Sequence, residues 1–180
     1  MKLYTREGDR GFTRTSQDNR VPKSSQLMEA LGALDEFMTC CGLVKQALLS
    51  SNHCFRNMDE FERNVYDAMD FIQDRIKCIS SKLVDNDSSD SVSAEDVKHV
   101  EAELDKFAPI LNLLSDVLKF GGGKCSSYVQ HARAVCRRAE RELWRLPSHY
   151  LEHHTTTAQF INRISDWLLA LSYILINRGE

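Results

Sequence analysis

Residues 121–146 read GGGKCSSYVQHARAVCRRAERELWRL, and the way this stretch must wind decides the fold. Past the three glycines and Lys124 it reads as one helix. At a helical period Cys125, Val129, Ala132, Cys136, Ala139 and Leu143 fall on a single apolar stripe that must pack on other helices. Beside that stripe Arg133, Arg137 and Arg141 follow one another at i+4, and with Glu140 they occupy about a quarter of the circumference. Like charges at this spacing cost a helix about 0.2–0.5 kcal/mol per pair. Glu140 is the only acid between Lys124 and Arg141. A cationic row held at the edge of a buried face therefore asks for an anion: carboxylates from elsewhere in the fold, a neighbouring subunit, or a polyphosphate gripped by guanidinium forks.

Outward from this helix the chain repeats the bundle pattern. Leu27, Leu31, Leu34, Met38, Cys41 and Leu48 give a 3-4 spacing over 27–49, with Asp35 and Glu36 in mid-helix. Phe61, Val65, Ala68, Ile72, Ile76, Ile79 and Leu83 repeat it over 59–84. Ser93 and Asp96 resemble a capping box that opens a shorter helix, expected to stop before Pro109. An apolar run follows over 110–120. The last helix, 156–177, places Phe160, Ile161, Ile164, Trp167, Leu168, Leu171 and Leu175 inward. No strand of note is expected. The fold class is all-α: a five-helix antiparallel bundle, ferritin-like in its up-down arrangement, forming one domain over 1–180 with a flexible acidic, serine-rich loop at 85–92.

Residues 1–26 are polar and turn-rich. Gly8-Asp9-Arg10-Gly11 allows a tight turn whose consecutive backbone N–H groups form an anion nest, and Thr13, Arg14 and Lys23 add donors. Gly121-Gly122-Gly123 both breaks helix and admits close backbone approach to a ligand. It is not a Walker A loop, since Cys125 follows Lys124 where Ser or Thr is required.

Bulk properties exclude several classes. A net charge of −3 offers no basic field for nucleic acid, and no apolar run reaches membrane-spanning length. The N-terminus lacks a signal-peptide apolar region, so a cytoplasmic location is expected, or the mitochondrial matrix if a transit peptide has been removed. The six cysteines, Cys40, Cys41, Cys54, Cys78, Cys125 and Cys136, form no C-x-x-C pair and read as reduced, mostly buried thiols. No metal site is expected, from them or from His153 and His154.

Four blocks, YTREGDRGFT with Pro22-Lys23, MEALGALDEF, GGGK…HARAVCRRAER and FINRISDWLLALSY, resemble the PduO-type ATP:cob(I)alamin adenosyltransferases over nearly the whole length. The resemblance implies transfer of the 5′-deoxyadenosyl group of ATP to cob(I)alamin, with release of triphosphate and with Mg²⁺ on the nucleotide. It implies a homotrimer binding ATP and cobalamin between subunits, with a cobalamin reductase and an adenosylcobalamin-dependent enzyme as partners. The implied ATP site comprises Thr5, Arg6, Glu7, Gly8, Asp9, Arg10, Gly11, Thr13, Arg14, Lys23, Arg137, Arg138, Glu140, Arg141 and Asn162. Arg133, Arg137 and Asp35 would be the catalytic set, Asp35 pairing with Arg133 across the interface. Val117, Phe120, Gly121 and Gly122 would meet cobalamin. Two departures stand out: Arg10 replaces the family's lysine, and Val117 stands where the family places a phenylalanine that displaces the lower ligand of cobalt, with Phe120 where its proline would be. The alternative reading, resting on the altered cobalt side, is a non-catalytic ATP- and cobalamin-binding relative that acts as a carrier or partner protein.

Overall fold

The computed structural model describes residues 4–15, 20–52, 55–85, 91–111, 121–147, 150 and 155–179. Five long helices carry the fold: α1 (Gln26–Asn52), α2 (Glu60–Val84), α3 (Ala94–Leu111), α4 (Lys124–Trp144) and α5 (Thr155–Arg178). They alternate in direction. Lys45 of α1 bonds Asp70 of α2 while Met38 accepts from Gln73, and Gln26 at the start of α1 bonds Glu142 at the end of α4. The end of α5 approaches the start of both α2, through Arg178 and Asp59, and α4, through Ile176 and Gly122.

Helix α4 lies between α1 and α5, its two most extensive packing partners, and α3 lies on α5. The apolar stripe read from the sequence is the reason. Cys125, Val129, Ala132, Cys136, Ala139 and Leu143 are all buried, and they meet Leu34, Phe37 and Cys41 of α1 and Phe160, Ile164 and Leu168 of α5 in one core. Each large aliphatic or aromatic side chain so buried contributes about 1.5–3 kcal/mol. Between α2 and α3 the contact is made by side chains: Phe71 packs edge-on against His99, and Arg75 pairs with Asp96 at 3.7 Å.

Helix starts follow local chemistry. Asp59 caps α2 by accepting from the Glu62 N–H at 2.8 Å, and Glu62 reciprocates to the Asp59 N–H. The Ser93–Asp96 box opens α3 as expected.

Two expectations are corrected. α3 does not stop before Pro109 but runs through it to Leu111. Proline there removes a bond only to the carbonyl of Asp105, an exposed residue whose carbonyl water can satisfy. And the N-terminal segment is not without strands: β1 (Phe12–Arg14) and β2 (Arg20–Pro22) pair antiparallel, with Thr13 opposite Val21. Strands of three residues are too short to register as a period of two. Residues 112–120, with Val117 and Phe120, lie outside the described residues, as do 86–90 of the expected loop, Cys54, His153 and His154. The other five cysteines are free thiols. Burial pushes Cys41 up to about 12 and raises Cys136 well above the ordinary thiol value. No helix among the described residues is long and apolar enough to cross a membrane.

Candidate active site

The glycine turn and the arginine row are built on one helix. Gly121 and Gly122 have φ of +102° and +96°, and Gly123 caps α4 in an extended conformation with no side-chain donor or acceptor of its own. A Cβ at Gly122 would lie 2.7 Å from Ser126 Oγ and 3.0 Å from Ile176 Cγ1, so only glycine passes between α4 and α5 here. The side-chain amide of Gln130 accepts from the Gly121 N–H at 3.0 Å and donates to its carbonyl at 3.2 Å, as a neighbouring strand would. Buried Ser126 donates to the Gly123 carbonyl at 2.9 Å. The turn is thus fastened to the helix it precedes.

Below it the row emerges as the sequence requires: Arg133 is half-buried, and Arg137 and Arg141 are exposed. Arg141 folds back along the helix, donating from NH1 to the Arg137 carbonyl at 2.9 Å. Neither Arg133 nor Arg137 has an ion-pair partner among the described residues. Asp35, exposed on α1, has none either. Glu140 turns away from the row to accept from Asn162 Nδ2 at 3.1 Å, while Asn162 Oδ1 accepts from Arg163, which also bonds Glu101 at 2.8 Å. Arg138 is placed differently from the others. It pairs with Glu36 across the α1–α4 seam within the same chain, leaving its Nε buried without a hydrogen-bond partner. One residue further round the helix than Arg137, it belongs to the seam rather than to the open row.

The N-terminal segment forms a second anion-suited feature. Arg6 holds φ +64°, and the turn over 8–11 closes with Gly11 N–H to the Gly8 carbonyl at 3.3 Å. Lys23 N–H donates to the Gly11 carbonyl at 2.9 Å, and its ammonium lies against Gly8, 2.7 Å from where a Cβ would stand. A cleft of about 700 Å³ opens on this segment, lined by Thr5, Arg6, Glu7, Gly8, Asp9, Arg10, Thr13 and Arg14, together with Phe12 and Arg20. The first eight were expected from the sequence and are brought together. Gly11 and Lys23 hold the turn from behind. Arg137, Arg138, Glu140, Arg141 and Asn162 are not part of this cleft. Sequence reading missed Phe12 and Arg20 because their common face depends on the β1–β2 register. It missed Gln130, Ser126 and Arg163 because their work is side chain to backbone or to neighbour, which no spacing announces.

The cleft sits at the end of the bundle where α1 begins and α4 finishes, since Gln26 bonds Glu142. The glycine turn is at the other end, about 27 Å along α4 from Arg141 at 1.5 Å per residue.

The described residues thus form a five-helix bundle that carries a glycine turn, an arginine row and an arginine-lined N-terminal cleft. The family model described as cobalamin adenosyltransferase matches residues 3–175, and the chain belongs to that family. It is 32% identical to the corrinoid adenosyltransferase MMAB of Homo sapiens over 99% of this chain and 71% of that protein. With the corrinoid adenosyltransferase of Bacillus subtilis it shares 28% identity over 99% and 89%. In fold it matches a variant of the PduO-type ATP:corrinoid adenosyltransferase from Lactobacillus reuteri complexed with cobalamin and ATP, with a TM-score of 0.76, 22% identity, and coverage of 98% and 91%.

Proposed function

We propose that the protein transfers the 5′-deoxyadenosyl group of ATP to cob(I)alamin, forming adenosylcobalamin and inorganic triphosphate. The observation that carries this is the row of Arg133 and Arg137, without an ion-pair partner among the described residues, on a helix of a cobalamin adenosyltransferase whose N-terminus is a buttressed glycine turn. Cob(I)alamin attacks C5′ with its metal electron pair, the Co–C5′ bond forms, the C5′–O bond breaks, and triphosphate departs with that bond's electrons. No side chain needs to be a nucleophile. The chain's part is to hold the reacting atoms in line and to stabilise the charge that builds on the leaving triphosphate.

Arg137 and Arg141 supply guanidinium forks for the triphosphate, with the N-terminal cleft closing on it. Asn162 and Glu140, fixed to each other, face the nucleoside. Gly121 and Gly122 let the corrin approach the backbone. Mg²⁺ would arrive on the nucleotide. Glu7 and Asp9 are the carboxylates that line the cleft, which suits an ion held by one or two carboxylates and substrate phosphates.

The site is assembled between copies of the chain, as a homotrimer. What supports this is that cleft and glycine turn lie at opposite ends of one protomer, and that Asp35 and Arg133 each lack an ion-pair partner among its described residues. Asp35 of one copy pairs with Arg133 of the next, and the two halves of the phosphate clamp come from different chains.

The test is anaerobic: protein, ATP, Mg²⁺ and chemically reduced cob(I)alamin, followed by the absorbance change to adenosylcobalamin. Conversion is expected, with its loss in Arg137→Ala. ATP binding without conversion in the wild type would select a carrier or partner-protein role instead. Mixing Arg137→Ala with Lys23→Ala subunits is expected to restore part of the activity that each lacks alone. No restoration would contradict a site shared between chains.

A further inference from the structure

We propose that Arg163, anchored on Glu101, is a positioning residue for the nucleoside side of the site: it sets the orientation of the Asn162 amide and, through it, of the Glu140 carboxylate. The inference rests on reading Asn162 and Glu140 as the groups that face the nucleoside.

Three hydrogen bonds carry the argument, and they run in one line across three helices. Glu101 of α3 accepts from Arg163 Nε of α5 at 2.8 Å, and Arg163 donates from a second nitrogen, Nη1, to Asn162 Oδ1 at 2.9 Å. Asn162 Nδ2 then donates to Glu140 Oε1 of α4 at 3.1 Å. All four residues are half-buried. A guanidinium only donates and a carboxylate only accepts, so the amide oxygen must face Arg163 and the amide nitrogen must face Glu140. Both neighbours demand the same amide orientation. Without Arg163 the amide is held by one bond, about a terminal torsion whose wells are broad.

Helix geometry gives no reason for the Arg163–Asn162 contact. Residues at i and i+1 point about 100° apart and do not face each other, so Arg163 must bend round α5 to reach its neighbour. Glu101, on α3, holds it there. The Arg163–Glu101 pair is more than a third exposed on both sides and contributes little to stability by itself. What the arrangement fixes is direction. Two nitrogens of one planar fork serve two partners, a geometry that the single ammonium of lysine does not reproduce. Among the described residues Glu140 Oε2 and the second Nδ2 hydrogen of Asn162 carry no other hydrogen bond, which leaves one acceptor and one donor of set orientation for a nucleoside.

The experiment uses the full chain and compares Arg163→Ala, Arg163→Lys, Asn162→Ala and the Arg163→Ala/Asn162→Ala double variant with wild type. For Arg163→Ala we expect KM for ATP to rise on the order of tenfold. KM for cob(I)alamin and the inhibition constant of inorganic triphosphate, which has no nucleoside, are expected to hold. Lysine should recover only part of the loss. In the Asn162→Ala background the change at Arg163 is expected to add nothing, because its effect passes through the amide. The ligand-free melting temperature should fall little, as suits an exposed ion pair. An unchanged KM for ATP in Arg163→Ala would overturn the assignment while leaving the adenosyltransferase reading intact, and so would an equal loss in both backgrounds. A rise in both substrates' KM and in the triphosphate constant, with a lowered ligand-free melting temperature, would overturn it as a structural effect. Failure of Asn162→Ala to raise KM for ATP would strike the reading of Asn162 beneath it, and the proposal with it.

Discussion

The two anion-suited regions of this protein are built to opposite standards of rigidity. The α4 region stands on a helix clasped by α1 and α5, its glycine turn tied down by Gln130 and Ser126. The N-terminal region stands on a hairpin of two three-residue strands, with most of its cleft-lining residues exposed. Both present arginines. In the first, they stand on a packed helix that fixes their backbone. In the second, short turns and the Arg20–Phe12 stack hold them. For the proposed function the difference matters: a site with one helix-borne side and one loosely held side would combine transition-state stabilisation with entry of a large substrate.

The largest expected effect probes the scaffold. Phe160, fully buried between α5 and its neighbours, should cost about 3–5 kcal/mol when replaced by alanine. Calorimetry should show a large drop in melting temperature, and a small one would mean that the α4 region is less tightly supported than described. Next is Arg137→Ala, expected to lower kcat by about 10²–10³-fold with melting temperature nearly unchanged, because the residue is exposed and has no ion-pair partner among the described residues. Equal loss of stability would turn it from a ligand group into a structural one.

The two sides can then be compared through their glycines. Gly122→Ala meets both a positive φ and the close atoms of Ser126 and Ile176, at a global cost of about 2–3 kcal/mol. Gly11→Ala, at φ +76° with open space around it, carries strain of about 1 kcal/mol. Its effect should appear in KM for ATP and in proteolysis of the hairpin while the global melting temperature holds. If both variants lowered the melting temperature equally, the contrast drawn between the regions would be wrong.

The smallest effect belongs to Asp59. The Glu62 backbone N–H, and then Arg178, hold its carboxyl below the ordinary value of 3.8. Its folded pKa being depressed, the contribution is fully present above pH 3.8 and is lost as pH falls through the lower folded value. Asp59→Ala should cost about 1 kcal/mol at neutral pH and flatten the acid limb of a stability–pH curve. An unaltered acid limb would remove the cap from the account.

Much of this was legible in the sequence because it rests on periodicity. The stripe from Cys125 to Leu143 and its counterpart from Phe160 to Leu175 are buried as their spacing demands, and the eight cleft residues sit in one contiguous segment. What could not be read was pairwise. Arg138 adjoins Arg137 in the sequence, and its pairing with Glu36 across the α1–α4 seam is not visible in any spacing. The β1–β2 hairpin is too short to show alternation, so Arg20 had no visible companion. Pro109 looks like a stop signal, yet the helix needs only one exposed carbonyl to go without its bond.

One feature of the topology bears on how the chain acquires its structure. Gln26 finds Glu142 across 116 positions, and Asp59 finds Arg178 across 119. Helix α1 emerges from the ribosome long before α4, its most extensive packing partner, and α4 in turn waits for α5. The face of α1 that meets α4 therefore stays uncovered through most of synthesis, and large loops must close before the central seam forms. Refolding should accordingly be slower than in bundles of this size whose helices pack chiefly on their sequence neighbours, and the nascent chain should depend on chaperones until α5 arrives.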